Sequence, residues 1–408
     1  MAILAVPVLA AVGMAVDYTR INAARTAFQV ALDATALMMS KNAATETDEQ
    51  RQTEATNTFN SLFSRPEVTD AAVTLAYTSA GGSKLTLNGT AVVHTNFLGV
   101  IGINQVEISA MSVSSWGNTR LRVALVLDNT GSMASDGKVD ALETASHNLL
   151  TQLNGAALHP EDVYVSIVPF SKDVNFGAEN YSQSWLRWDL WDAVNGHCSN
   201  SSYHKQSTCL SHGKVWTPAA HSTWNGCVTD RDQNYDTKND AAVSGATLYP
   251  TEQYSSCSAS LISLTNDWTK LNTKIDGMTP VGNTNQAIGL QVGWQTLTAT
   301  PFTVPAIDPD YKYQTVIILL TDGLNTEGRW YTSQSSINAR QQKICDNIKA
   351  AGITLYTVQV NTGGDPVSTL LQNCASDAGK FFHLTSAGQI VTTFGQIGTS
   401  LSKLRLAM

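Results

Sequence analysis

Charge is scarce in this chain. Only 14% of its 408 residues are Asp, Glu, Lys or Arg, against 43% hydrophobic, and the formal net charge is −8. Lys and Arg are scattered rather than clustered, which excludes a nucleic-acid partner, because phosphate binding relies on grouped cations. The sequence has no GxxxxGK[ST] loop and no Gly-rich dinucleotide turn. It also has no GxSxG nucleophile elbow. It lacks the CxxC and HxxxH pairs that structural zinc sites use. No basic residue precedes its apolar N-terminal stretch, as a secretory signal would require.

Cysteine is present in an even number: Cys198, Cys209, Cys227, Cys257, Cys345 and Cys374. The first four crowd into one stretch that also carries His197, His204, His212 and His221. Disulfide staples are the expected reading, with zinc and free buried thiols as rivals. Cys345 falls in a helical pattern and Cys374 just after the following strand, elements expected to be neighbours. They are predicted to form one bridge, with two more within 198–257.

The first sixteen residues, "MAILAVPVLAAVGMAV", carry no charge. As a helix they reach roughly 24 Å, short of a hydrocarbon core of roughly 30 Å. Ala, Val, Leu and Gly dominate, so a transmembrane anchor over 1–18 is expected, part of a longer span whose basic flank lies upstream, with a buried helix as the alternative. Ile21, Ala24, Phe28, Ala31, Leu32, Thr35 and Met39 then recur at helical spacing. An amphipathic helix and linker are expected over 19–60 and a small β-rich region over 61–118. From 119 to 404, fully apolar strands such as "LRVALVLD" and "TVIILLTD" alternate with helical patterns. The expected fold class is α/β: a mostly parallel open sheet with helices on both faces. Residues 172–260 interrupt it with five Trp (185, 188, 191, 216 and 224), many Tyr and four Cys. They read as a stapled insertion, its aromatics either a recognition surface or a core of their own.

Asp128, Thr130 and Ser132 close the first strand of the α/β region, Asp322 closes "VIILLTD", and Thr284 precedes a helix in "PVGNTNQA". Open α/β sheets bind ligands beyond the carboxyl ends of their strands. Two carboxylates and three hydroxyls are hard donors that, with waters, suit Mg²⁺, with Mn²⁺ and Ca²⁺ as alternatives. Neutral hydroxyls leave net positive charge on the ion, so an outside carboxylate has a reason to bind. Taken singly, Ser132 and Thr284 also read as helix caps and Asp322 as a solvated acid. A phosphatase of the haloacid-dehalogenase type would use Asp128 as nucleophile. It would want a second acid where Thr130 stands and a supporting Lys, and Lys312 lies in no such motif.

With the order Asp128-x-Thr130-x-Ser132, Thr284, Asp322, the chain resembles the von Willebrand factor type A domain and its metal-ion-dependent adhesion site. The resemblance implies that Thr130, Ser132 and Thr284 touch the ion, that Asp128 and Asp322 act mostly through water, and that a ligand acid completes the shell. The N-terminal "VDYTR" and "DATALMMS", with "LRL" near the end, are similar to TadG-like proteins of tight-adherence (Flp) pilus systems. That implies a non-enzymatic, single-pass bacterial inner-membrane protein with periplasmic main domains. Its partners would be pilus or envelope proteins offering an Asp or Glu carboxylate, and no nucleic acid. The alternatives are a purely structural envelope or pilus component without a functional metal site and, further off, a metal-dependent phosphatase.

Overall fold

The computed structural model describes residues 2–406 except 80, 118 and 299, with side chains described from residue 12 to residue 403. The chain forms two compact units, one from the N-terminal 119 residues with Asp308–Lys312, the other from Arg120–Ile307 and Tyr313–Leu404.

In the first unit, helices α1 (Ala2–Met39) and α2 (Asp48–Leu62) cover an antiparallel sheet of β1 (Val68–Thr78), β2 (Ser83–His94) and β3 (Gln105–Trp116). The four-residue spacing of Ala24, Phe28, Leu32 and Ala36 puts them on one face of α1, and all four are buried. They meet Leu85, Leu87 and Val93, which alternate along β2 as a half-buried strand requires. Phe28 contacts Phe59 and Phe63 edge to ring at 5.2 and 5.1 Å.

This arrangement corrects the expected membrane anchor. Among the described residues, no helix is long and apolar enough to cross a membrane. The uncharged run ends at Asp17, a buried carboxylate that accepts the backbone N–H groups of Asn96, Phe97 and Leu98. Beyond it α1 carries Arg20, Arg25 and Asp33 and buries its apolar face on the sheet. The transmembrane helix at 1–18 and the single-pass inner-membrane placement are therefore withdrawn. Residue 1, the side chains of 2–11 and the terminal "LRLAM" side chains lie outside the described residues.

The second unit is built on an eight-stranded sheet. Its principal elements are β4 (Thr119–Asp128), α3 (Lys138–Ala156), β5 (Val163–Phe170), β6 (Ile262–Thr265), α4 (Trp268–Asp276) and α5 (Gln286–Thr298). They continue as β7 (Lys312–Thr321), α6 (Gln334–Ala350), β8 (Thr354–Val360), α7 (Thr369–Cys374), β9 (Phe381–Leu384) and α8 (Gly388–Leu406). The order runs β5-β4-β7-β8-β9, with β6 and the short strands Val174–Asn175 and Cys227–Val228 beyond β5. The sheet is mixed rather than mostly parallel. β4/β5, β7/β8 and β8/β9 pair parallel, whereas β6 and Val174–Asn175 pair antiparallel with β5. The antiparallel strands follow the insertion or belong to it, and nothing in their short runs marks direction.

Both faces are covered. Leu121, Val123, Leu125 and Leu127 point to the side of α3, α4 and α8. Ala124 and Val126 point to the side of α5, α6 and α7. Alternation with both faces apolar is why β4 reads as one continuous run. Helix α5 lies unusually close: a Cβ at Gly293 would stand 2.4 Å from Val126 Cγ2, so only glycine permits this approach.

All six cysteines are bridged, as Cys198–Cys209, Cys227–Cys257 and Cys345–Cys374. The disulfide expectation holds, and the zinc and free-thiol rivals fall because no thiol is left. Within the insertion Trp191, Trp216 and Trp224 are buried, and Trp188 stacks on His221 at 3.7 Å. Trp191, Trp224 and Tyr249 share one apolar cluster with Phe170 and Val126 of the sheet.

Candidate functional site

Asp128 ends β4 and Asp322 follows the last residue of β7, its neighbour in the sheet. The sheet order turns between these strands, since β4 leads to β5 on one side and β7 to β8 on the other. Such a turning point opens a crevice beyond the carboxyl ends.

The carboxylates are joined through hydroxyls. Asp128 is 1% exposed; its Oδ1 accepts the Thr130 backbone N–H at 2.9 Å and the Thr130 hydroxyl at 2.6 Å. Its Oδ2 accepts the Thr321 hydroxyl at 2.6 Å. Asp322 Oδ1 accepts the Ser132 hydroxyl at 2.6 Å, and its Oδ2 accepts the Lys138 ammonium at 2.5 Å. Thr130 Oγ1 and Ser132 Oγ stand 3.1 Å apart. Either of these two hydroxyls can donate to the other, so the two hydroxyl–carboxylate pairs run together into one chain. Burial pushes the Asp128 carboxyl up to about 6, and the Asp322 carboxylate adds to the push against the hydrogen bonds from Thr130 and Thr321.

Thr284 arrives on a separate segment tied to the loop after β4. Asn129 Nδ2 donates to Thr279 O at 2.6 Å, Val281 N to Asn129 O at 2.8 Å and Gly131 N to Gly282 O at 3.1 Å. On its other side Thr284 N donates to Thr326 Oγ1 at 2.8 Å, and Gln286 Nε2 donates to Gly323 O at 2.9 Å. A Cβ on Gly323 would stand 3.6 Å from Ser132 Oγ and 3.9 Å from Thr284 Oγ1. The glycine thus keeps open the space beside both hydroxyls. Thr130 and Thr284 are buried and Ser132 is exposed, so the group opens to solvent on the Ser132 side.

The structure brings Asp128, Thr130, Ser132 and Asp322 into one hydrogen-bonded chain, with Thr284 beside it. Sequence reasoning missed Lys138 and Thr321. Lys138 is the first residue of α3, where a cation opposes the helix dipole, and that mismatch was its available signal. Thr321 was legible only as one polar residue closing an apolar strand. Among the described residues no three His, Cys, Asp or Glu side chains group closely enough to hold a metal. The donor set here has two carboxylates and three hydroxyls, which fits a hard cation through oxygen atoms of both kinds. Thr130, Ser132 and Thr284 would hold the ion and the two acids would neutralise it; the ion would supply a Lewis-acidic position for an anionic ligand.

This is an α/β binding fold with a hard-oxygen cluster at its turning point. Residues 249–396 match the model of the von Willebrand factor type A domain, and residues 1–41 match that of the Flp pilus-assembly TadE/G-like proteins. The chain thus joins a TadE/G-like N-terminal segment to a von Willebrand factor type A domain, a class of non-catalytic binding module, and it is not an enzyme. The matched range contains Thr284 and Asp322, whereas Asp128, Thr130 and Ser132 lie before it. No curated protein sequence matches the chain. Among solved structures it is similar to proximal thread matrix protein 1 of the mussel byssus, at 13% identity and a TM-score of 0.37, covering 70% of this chain. It spans only 46% of that protein's length. The von Willebrand domain of the type V pilus tip protein Mfa5 from Porphyromonas gingivalis is 12% identical with a TM-score of 0.40, over 71% of this chain and 97% of that one. The pilus adhesin SpaC from Lactobacillus rhamnosus GG is 15% identical with a TM-score of 0.39, over 84% of this chain and 36% of that one. Likenesses at this level carry no argument about function.

Proposed function

We propose that Asp128, Thr130, Ser132, Thr284 and Asp322 bind one divalent cation, Mg²⁺ or alternatively Mn²⁺ or Ca²⁺, through which the module grips a carboxylate of a protein partner. The observation that carries this reading is the convergence of Asp128, Thr130, Ser132 and Asp322 in one chain of hydroxyl and carboxylate oxygens, with Thr130 Oγ1 and Ser132 Oγ 3.1 Å apart. Two hydroxyl oxygens this close can share one hard cation. The partner is a pilus or adhesion component with an exposed Asp or Glu, in keeping with the TadE/G-like segment. Trp191 and Trp224 of the insertion are buried in the cluster shared with the sheet and Trp216 beside Cys198 and Cys209, so selectivity falls to exposed side chains such as Leu324, Trp330 and Tyr331, on the loop after Asp322.

Titration of the full chain with Mg²⁺ and Mn²⁺ by calorimetry tests this. One saturable site that disappears in Asp128→Ala is expected, and no saturable binding would overturn the reading. The second reading, a structural pilus component without a functional metal site, has an observation of its own. Both carboxylates already have partners, Asp322 with a buried ammonium. The same titration separates the two.

A further inference from the structure

Lys138 is 5% exposed and follows Gly137, which holds a left-handed φ of 67°. Its position is doubly unfavourable. A cation in the first turn opposes the helix dipole, and a buried ammonium loses hydration. The compensation is Asp322, with Nζ 2.5 Å from Oδ2 and side-chain exposures of 7% and 0%. The pair also fixes the acid's orientation, leaving Oδ1 turned to Ser132.

The charge count follows directly. Asp128 and Asp322 bring two negative charges and Lys138 one positive, so the cluster carries a net −1. Asp136 and Asp140, the other acids of this segment, are exposed to solvent, where screening weakens their influence. We propose that Lys138, acting through Asp322, divides binding strength between metal and partner, holding the cation more loosely so that the loaded site keeps one surplus positive charge for an acidic ligand. This rests on the cation-binding reading above. Without Lys138 the two carboxylates would cancel the charge of a divalent ion completely. The ion would bind tightly and an acid would find little attraction. Lys138 is a positioning residue that sets specificity for anionic ligands, and its removal shifts the two affinities in opposite directions. A residue needed only for folding would lower both.

The test uses the full chain, with Mn²⁺ as metal probe followed by water-proton relaxation and acetate as carboxylate probe. Wild type is compared with Lys138→Gln, with Lys138→Met as a second neutral variant and Lys138→Arg retaining the charge. Thermal unfolding in chelator confirms that each variant is folded. The neutral variants are expected to bind Mn²⁺ ~10-fold or more tightly, the usual scale for partners of metal ligands, and acetate more weakly. Lys138→Arg is expected to behave as wild type. If a neutral variant binds Mn²⁺ where wild type binds none, the cation-binding reading of the native chain fails and this inference with it. If wild type binds Mn²⁺ and both affinities fall together or stay unchanged in the neutral variants, this inference fails and the cation-binding reading stands. If no variant binds Mn²⁺, both fall.

Discussion

The central sheet and the insertion at 172–260 lie in one unit but are held together by different means. The sheet relies on period: Val123, Leu125 and Leu127 fill one face and Ala124 and Val126 the other, under helices on both sides. The insertion has short, irregular elements and is held by cross-links. Cys198–Cys209 and Cys227–Cys257 bridge it, and Arg187 and Arg329 both grip Asp232, at 2.6 and 2.8 Å. A segment without a repeating apolar face cannot offset its chain entropy by regular burial, so covalent and ionic ties take that role. The two regions still share one apolar cluster, and they are expected to unfold together.

The largest effect is expected in the sheet. Leu125→Ala removes a fully buried side chain and should cost about 2–5 kcal/mol, read from urea unfolding. A loss under 1 kcal/mol would mean that the β4 layer is not the main source of stability. Next comes the insertion. The double change Cys227→Ser with Cys257→Ser opens a bridge of sequence separation 30 and should cost about 2–4 kcal/mol. The unfolding transition should remain single. Two resolved transitions would break the comparison by showing the insertion to be a separate unit.

The seam between the regions gives a smaller effect with a distinctive pH dependence. Asp173, three residues past β5, is fully buried, and among the described residues neither carboxylate oxygen makes a well-formed hydrogen bond. Burial first, then the Glu252 carboxylate, push it well above the usual carboxylate range, against Lys172 and the Thr229 hydroxyl. A carboxyl raised in the folded state keeps its proton longer folded than unfolded. Its contribution to stability therefore declines as pH rises from about 4 through the folded pKa. Asp173→Asn lacks that titration and should be more stable than wild type by about 1–3 kcal/mol at pH 8, converging with it near pH 4. A difference independent of pH would show that the carboxyl is not the source.

The contrast between regions also marks what was legible in the sequence. "LRVALVLD" and "TVIILLTD" announce buried strands because both faces demand apolar residues, and their closing acids come with them. Cys345 and Cys374 were paired correctly because their elements are regular. The antiparallel direction of β6 was not legible, since a four-residue strand after an aperiodic stretch carries no directional mark. The N-terminal run misled for a different reason. Sixteen uncharged residues look alike whether or not they span lipid, and what corrected the reading, Asp17 bound to the backbone at 96–98, is a long-range contact. Lys138 escaped notice because a lysine opening a helix reads as solvated, and its burial depends on a residue 184 positions away.

The most direct measurement is a crystal of the full chain soaked in Mn²⁺ with the anomalous signal recorded. One peak is expected within about 2.2 Å of both Thr130 Oγ1 and Ser132 Oγ, the range of oxygen ligands around small divalent cations. No peak at millimolar Mn²⁺, or a peak away from these hydroxyls, would contradict cation binding at this cluster.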